Sequence, residues 1–172
     1  MEADHHSRAV GGDGIRWVRV DDIGRTGHGM EPYPLRAPRQ TPGGDSPRLE
    51  YEMTLTTTGP VKVLAYLSPR NNVFATDGLK YAVSIDGQAP QVVNTTTATG
   101  ANDTTMNKQW ERNTSDNVNL TATTHVVDRP GRHVLKFWMV DPTVVVQKIV
   151  VDTGGVLPSY FGPPESRRYS AV

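Results

Sequence analysis

The sequence predicts an all-β domain, an antiparallel β-sandwich of jelly-roll-like form. Three observations lead there. Short apolar runs rich in Val, Ile, Leu, Phe and Trp recur along the chain, and several alternate with polar residues at the period of two that a half-buried strand requires. The 172 residues include 16 Gly and 13 Pro, enough punctuation for many short strands and turns. No stretch carries amphipathic helical periodicity long enough for a substantial helix. About eight or more strands at turn-punctuated spacing suit two packed sheets.

Taken in order, residues 15–23, IRWVRVDDI, read as an early strand, with Ile15, Trp17 and Ile23 on one face and Val18 and Val20 on the other. Residues 24–48 are rich in Gly and Pro, lack periodicity and read as a long surface loop. RLEYEMTLTT alternates more cleanly, placing Leu49, Tyr51, Met53 and Leu55 on one face. VKVLAYLSP and KYAVSIDGQAPQVVN follow, the second with a turn signal at Asp86-Gly87. Residues 94–108 are Thr/Asn-rich and read as a solvent loop, and NVNLTATTHVV reads as a strand.

The densest apolar run is GRHVLKFWMVDPTVVVQKIVVD, residues 131–152. Pro142 lacks an N–H and disfavours a helical Asp141, so two strands joined at Asp141-Pro142 are expected. Leu135, Phe137 and Met139 share one face of the first, with Lys136 and Trp138 on the other. Strict alternation sets Val145, Gln147, Ile149 and Val151 against Val144, Val146, Lys148 and Val150 in the second. Both faces are partly apolar, which places the pair well inside a sheet. Residues 153–172 read as a C-terminal tail to a single sandwich domain over 1–172.

Composition narrows the function classes. The 18 basic and 18 acidic residues balance, so no basic stripe for nucleic acid is present. No run reaches membrane-span length, and the first residues lack a signal-peptide hydrophobic region. There are no cysteines, which excludes disulfides and thiolate metal sites. A chain of this size buries a core without such staples.

YLSPRNN, GLKYAVSIDGQAPQVVN, FWMVDPTVVVQKIVVDTGG and PSYFGPPES, in that order, resemble the C-terminal domain of family 115 glycoside hydrolases, as do MEADHHSRAVGGDGIRW and GRTG near the start. The resemblance spans roughly residues 2–166. It implies a parent enzyme that is a xylan α-1,2-glucuronidase, with catalytic residues in upstream domains, secreted or periplasmic and in some members a homodimer. This chain is then a non-catalytic carbohydrate-binding module for xylan or glucuronoxylan of the plant cell wall. The alternative is a structural or subunit-pairing module without sugar affinity of its own.

The pattern also resembles carbohydrate-binding module families 6 and 35, which open on an acidic strand and hold a structural calcium between it and a late strand. Glu2 and Asp4 are the candidates here, but the late acidic position is Gln147. A hard cation wants several oxygen ligands with carboxylate charge, so no metal or other cofactor is expected.

The same resemblance points to three sugar-binding loops at one end of the sandwich. One holds Ser68, Arg70, Asn71 and Asn72, another Trp110, the third Asp141 at a rigid Asp-Pro tip. Trp110 either stacks on sugar or seals the sandwich edge, and Arg70 either pairs with a glucuronate carboxylate or is an ordinary loop arginine. Asn71 and Asn72 also suit turn hydrogen bonds. Trp17 and Trp138 suit core or half-core positions, while Tyr33, Tyr160 and Phe161 stack on sugar or pin loops. His5 and His6, read as neighbours on a strand, point apart and share no ion. Glu50 and Glu52 point the same way, with nothing to set them across a substrate. Four Asn-x-Ser/Thr sequons begin at Asn94, Asn102, Asn113 and Asn119, either glycan acceptors in a eukaryotic secreted parent or the chance product of a segment rich in Asn and Thr.

Overall fold

A computed structural model describes residues 1–97 and 103–167. A short 3-10 turn over Ala3–His5 leads into ten strands: β1 (Arg8–Val10), β2 (Arg16–Ile23), β3 (Gly27–Tyr33), β4 (Arg48–Leu55), β5 (Gly59–Leu67), β6 (Lys80–Ile85), β7 (Gln91–Asn94), β8 (Asn119–Val127), β9 (Gly131–Met139) and β10 (Val146–Asp152). One helix, α1 (Asp103–Ser115), lies between β7 and β8. The strands form two five-stranded sheets, ordered β1-β4-β9-β6-β7 and β2-β3-β10-β5-β8, with antiparallel neighbours throughout.

The inward faces of both sheets meet in one core. Leu49, Tyr51, Tyr81, Val83, Leu135 and Phe137 come from the first sheet, and Val61, Val63, Ala65, Val146 and Ile149 from the second. Tyr81 stacks on Phe137 with ring centres 4.8 Å apart, and Trp17 meets Phe137 edge-on at 6.3 Å. Trp138 lies buried on the other face of β9, under the Arg48 guanidinium, and donates to Ser84 Oγ at 2.9 Å. Trp17 is half-buried and donates to the Val10 carbonyl. Both tryptophans are therefore packing residues.

Several expectations need correction. β9 and β10 do not pair with each other. Each is the central strand of its own sheet, and residues 140–145 carry the chain from one layer to the other. The apolar character of both strands reflects central positions in opposite sheets. Strict alternation in β10 also fails, because the pairing with β5 slips between Val146 and Lys148. The bulge resets the phase, so Val144, Val146, Ile149 and Val151 all contribute to the core. Gln147 is left buried, donating to Ser68 Oγ at 3.0 Å and the Asn117 carbonyl at 3.1 Å.

Residues 24–48 contain β3 as well as loop. Gly29 serves close packing: a Cβ there would sit 2.9 Å from Val145 Cγ1 and 3.2 Å from the Val146 carbonyl oxygen. β3 and β10 register only at Met30–Val146, so the missing N–H of Pro32 breaks no long ladder. The end of the Thr/Asn-rich segment is helical, not loop. Tertiary hydrogen bonds fix the C-terminal end of α1, from Arg25 Nε to the Asp116 carbonyl at 2.7 Å and from Asn117 Nδ2 to the Gly24 carbonyl at 3.1 Å. His5 ends the 3-10 turn, not a strand, and meets Glu165 at 2.8 Å. Residues 153–167 hold neither helix nor strand, while the tail's last residues, 168–172, and the sequon at Asn102 lie outside the described residues.

Candidate functional site

The crossover between β9 and β10 builds one end of the sandwich. Asp141, at its start, is only 4% exposed, and its carboxylate accepts from Arg39 Nε at 2.8 Å, Arg39 Nη2 at 3.2 Å and the Lys80 backbone N–H at 2.7 Å. Asp141 N–H donates to the Lys80 carbonyl in return, at 2.9 Å. The residue that the Asp-Pro signal marks is thus an internal anchor whose two carboxylate oxygens both accept hydrogen bonds.

Arg39 extends the anchor outward. Its guanidinium reaches Asp77 Oδ1 at 2.6 Å and the Gly78 carbonyl at 3.2 Å, tying the crossover to the β5–β6 loop. Hydrogen bonds to Asp141 and Asp77 push the guanidinium above its ordinary value. Asp77 also binds Lys80 Nζ, and bonds from Lys80 first and Arg39 second hold its carboxyl down at about 2. Within the loop, Asn72 Nδ2 donates to the Thr76 carbonyl at 2.6 Å and Asn72 Oδ1 accepts from Thr76 N–H at 3.3 Å.

These contacts hold open a cleft of about 480 Å³ lined by Arg36, Ala37, Arg39, Phe74, Thr76, Asp141 and Pro142. Phe74 leaves 43% of its surface exposed there. Arg36 is exposed and has no hydrogen bond or ion pair among the described residues. The cleft therefore gathers an aromatic residue, an arginine without an ion pair among the described residues, and a second arginine held by carboxylates. That is the equipment for a ring-shaped polar ligand bearing negative charge.

The residues singled out from the sequence only partly converge on it. Asp141 lines the cleft, and Asn72 shapes it through Thr76. Ser68 is buried, with its hydroxyl accepting from Gln147 and its N–H bonded to the Val145 carbonyl. Ser68 and Arg70 border a separate crevice of about 10 Å³, room for no more than a water. Arg70 reaches Glu31 Oε2 at 3.5 Å. The Asn71 carbonyl accepts the Val73 N–H in a turn. Trp110 sits on α1, not on a loop, is 39% exposed, and does not line the cleft. Arg36, Arg39 and Phe74 escaped notice because they lie outside any periodic run; the two arginines three apart in LRAPRQ were the available signal.

Neither Glu50 nor Glu52 has catalytic geometry. Glu50 accepts from Arg48 Nε at 2.6 Å and Glu52 from Arg132 at 2.9 Å, each within its sheet. Asn113 is buried, and Asn94 and Asn119 spend their side chains on the Asp77 and Thr95 carbonyls, so these sequons are structural asparagines. Among the described residues no helix is long and apolar enough to cross a membrane, and no three His, Asp or Glu side chains group as metal ligands.

Two facing antiparallel sheets with a cleft at one end define a β-sandwich of the carbohydrate-binding-module type. The family model for the glycosyl hydrolase family 115 C-terminal domain matches residues 1–165, and the chain belongs to that family. Among solved structures it is similar to a family GH115 4-O-methyl-α-glucuronidase, BtGH115A, with specificity for decorated arabinogalactans, at 16% identity and a TM-score of 0.66. That likeness covers 90% of this chain and 17% of the enzyme, so the chain spans about a sixth of that relative's length. A family 35 carbohydrate-binding module from Clostridium thermocellum matches at 14% identity and a TM-score of 0.56, over 88% of this chain and 96% of the module. An exo-β-1,3-galactanase from Phanerochaete chrysosporium matches at 12% identity and a TM-score of 0.55, over 88% of this chain and 28% of the enzyme. At these identities the structures share the fold. No curated protein matches the chain at the sequence level.

Proposed function

We propose that this domain is a non-catalytic carbohydrate-binding module, and that it takes an acidic branch of xylan or glucuronoxylan in the Asp141 cleft. The parent is then a secreted or periplasmic xylan α-1,2-glucuronidase-like enzyme whose other domains carry the chemistry. The observation that carries this reading is the shared cleft of exposed Phe74 and unpaired Arg36. A sugar ring covering roughly 60 Å² of the Phe74 face gains about 1.5 kcal/mol at about 25 cal/mol per Å². A carboxylate on that sugar gains roughly 0–1 kcal/mol from an exposed Arg36, screened by salt.

Calorimetric titration of the domain tests this against linear xylo-oligosaccharides, glucuronate-bearing ones, and the decorated arabinogalactans named for BtGH115A. Phe74→Ala should weaken every sugar ligand about tenfold, and Arg36→Ala only the acidic ones, less so at high salt. The domain alone should release no glucuronic acid. Affinity that falls in Trp110→Ala or Arg70→Ala but not in Phe74→Ala would move the site. No binding of any sugar would favour a subunit-pairing or buttressing module. That second reading draws on the tail, where Leu157, Tyr160 and Phe161 stand 81%, 54% and 60% exposed.

A further inference from the structure

Lys148 is a charged residue on a central strand, yet its side chain is 5% exposed. The bulge at Gln147 turns it away from the core toward the tail. Its ammonium lies 3.0 Å from Glu2 Oε1, 2.8 Å from the Phe161 carbonyl oxygen and 3.5 Å from the Pro163 carbonyl oxygen. Three N–H groups thus meet three oxygens drawn from the first and last described segments of the chain. Glu2 Oε2 also accepts from Thr26 Oγ1 at 2.6 Å, and Glu2 bridges to Lys148 through the backbone. One carboxylate and two carbonyls around a buried positive charge are the ligand types of a hard cation site, with an ammonium at its centre.

The residues present do not fit the calcium that the module resemblance implies. An ion at Glu2 would meet the Lys148 charge 3.0 Å from that carboxylate. Asp4, the other candidate, has Arg19 Nη1 at 3.6 Å and His5 at 3.9 Å. Gln147 brings no charge, and its Oε1, the one atom of its amide that could ligate, accepts the Arg25 N–H at 3.4 Å. A divalent ion needs carboxylate charge in excess, and here each carboxylate is already opposed.

We propose that the Lys148 ammonium is the resident cation of this site, clamping the N-terminal segment and the tail onto β10 in place of a metal ion. The domain's stability is then indifferent to divalent cations and depends on the charge at position 148.

Thermal unfolding of the unmodified domain in excess calcium and in excess EDTA, with hydrogen exchange read along the chain, tests both halves. The expected result is one Tm in the two buffers. Lys148→Met should lower Tm on the order of 10 °C and strip protection from the Glu2 and Gly162 amides, because it leaves the half-buried Glu2 carboxylate without its charged partner. Lys148→Arg keeps the charge and should keep part of that protection. A calcium-induced rise in Tm that EDTA reverses would overturn the proposal, and that measurement stands even if Lys148→Met fails to fold. Wild-type Tm and tail protection in Lys148→Met would equally overturn it.

Discussion

Replacing Asp141 separates the contributions meeting at the cleft. In Asp141→Ala the Lys80 N–H, now bonded at 2.7 Å, loses its acceptor in a part-buried position. Such an orphaned donor costs about 1–3 kcal/mol. Arg39 loses two bonds as well, but its side chain is 37% exposed and keeps Asp77, so this part is worth roughly 0–1 kcal/mol after solvent screening. The sum is about 1–4 kcal/mol. At about 2–4 °C per kcal/mol for a domain of this size, Tm should drop by roughly 2–16 °C. Asp141→Asn keeps a carbonyl oxygen for Lys80 but turns its NH2 group toward the Arg39 Nε–H, losing that bond and the charge, so its stability should lie between wild type and Ala. Differential scanning calorimetry should therefore rank wild type above Asn and Asn above Ala. An Asn variant as unstable as the Ala variant would show that the Arg39 charge pair dominates, and an Ala variant matching wild type would refute the anchor altogether.

Acid stability and glycine packing give further tests. Burial alone would raise the Asp86 carboxyl, but the Val134 N–H, the His133 hydrogen bond and charge, and then Arg129 bring it below its ordinary value. With the folded value below the unfolded one of about 4, its contribution is complete above about pH 4 and lost as pH falls through the folded value. Asp86→Asn, which also tolerates the residue's φ of 52°, should lower Tm at neutral pH, and the gap to wild type should close on acidification. A gap independent of pH would exclude the carboxylate as its source. A Cβ on Gly24, at φ 76°, would lie 2.4 Å from Gln147 Oε1, whereas one on Gly14, at φ 78°, meets nothing within 4 Å. Gly24→Ala should cost about 1–3 kcal/mol more than Gly14→Ala, read as the difference between their denaturation midpoints. Equal losses would mean that the Gln147 side chain gives way.

Fold class was legible because alternation survives in most strands. β8 is the cleanest case, burying Thr121, Thr123, His125 and Val127 and exposing the residues between them. What resisted reading was contextual. Nothing local distinguishes two central strands of one sheet from central strands of facing sheets, so β9 and β10 looked like partners. Gly29 looked like a loop signal because the close approach of β10 that requires it lies more than a hundred residues away. α1 has weak intrinsic propensity in its Thr and Asn residues and is fixed at one end by Arg25, again distant in sequence. At the site, Asp141 stood out through its proline, but its role follows from Arg39 and Lys80, which no spacing rule connects to it.

The exchange of layers between β9 and β10 bears on how the domain is made. The central strand of the second sheet is the last to leave the ribosome, although its neighbours β3 and β5 were synthesised long before it. Until residues 146–152 arrive, that sheet consists of two separate pairs, β2 with β3 and β5 with β8, each showing an open edge to the other. Such long-range closure slows folding, and the waiting edges are surfaces on which nascent chains aggregate. Folding of the second sheet is therefore a late event, and expression of the domain alone should gain from conditions that slow synthesis or supply chaperones.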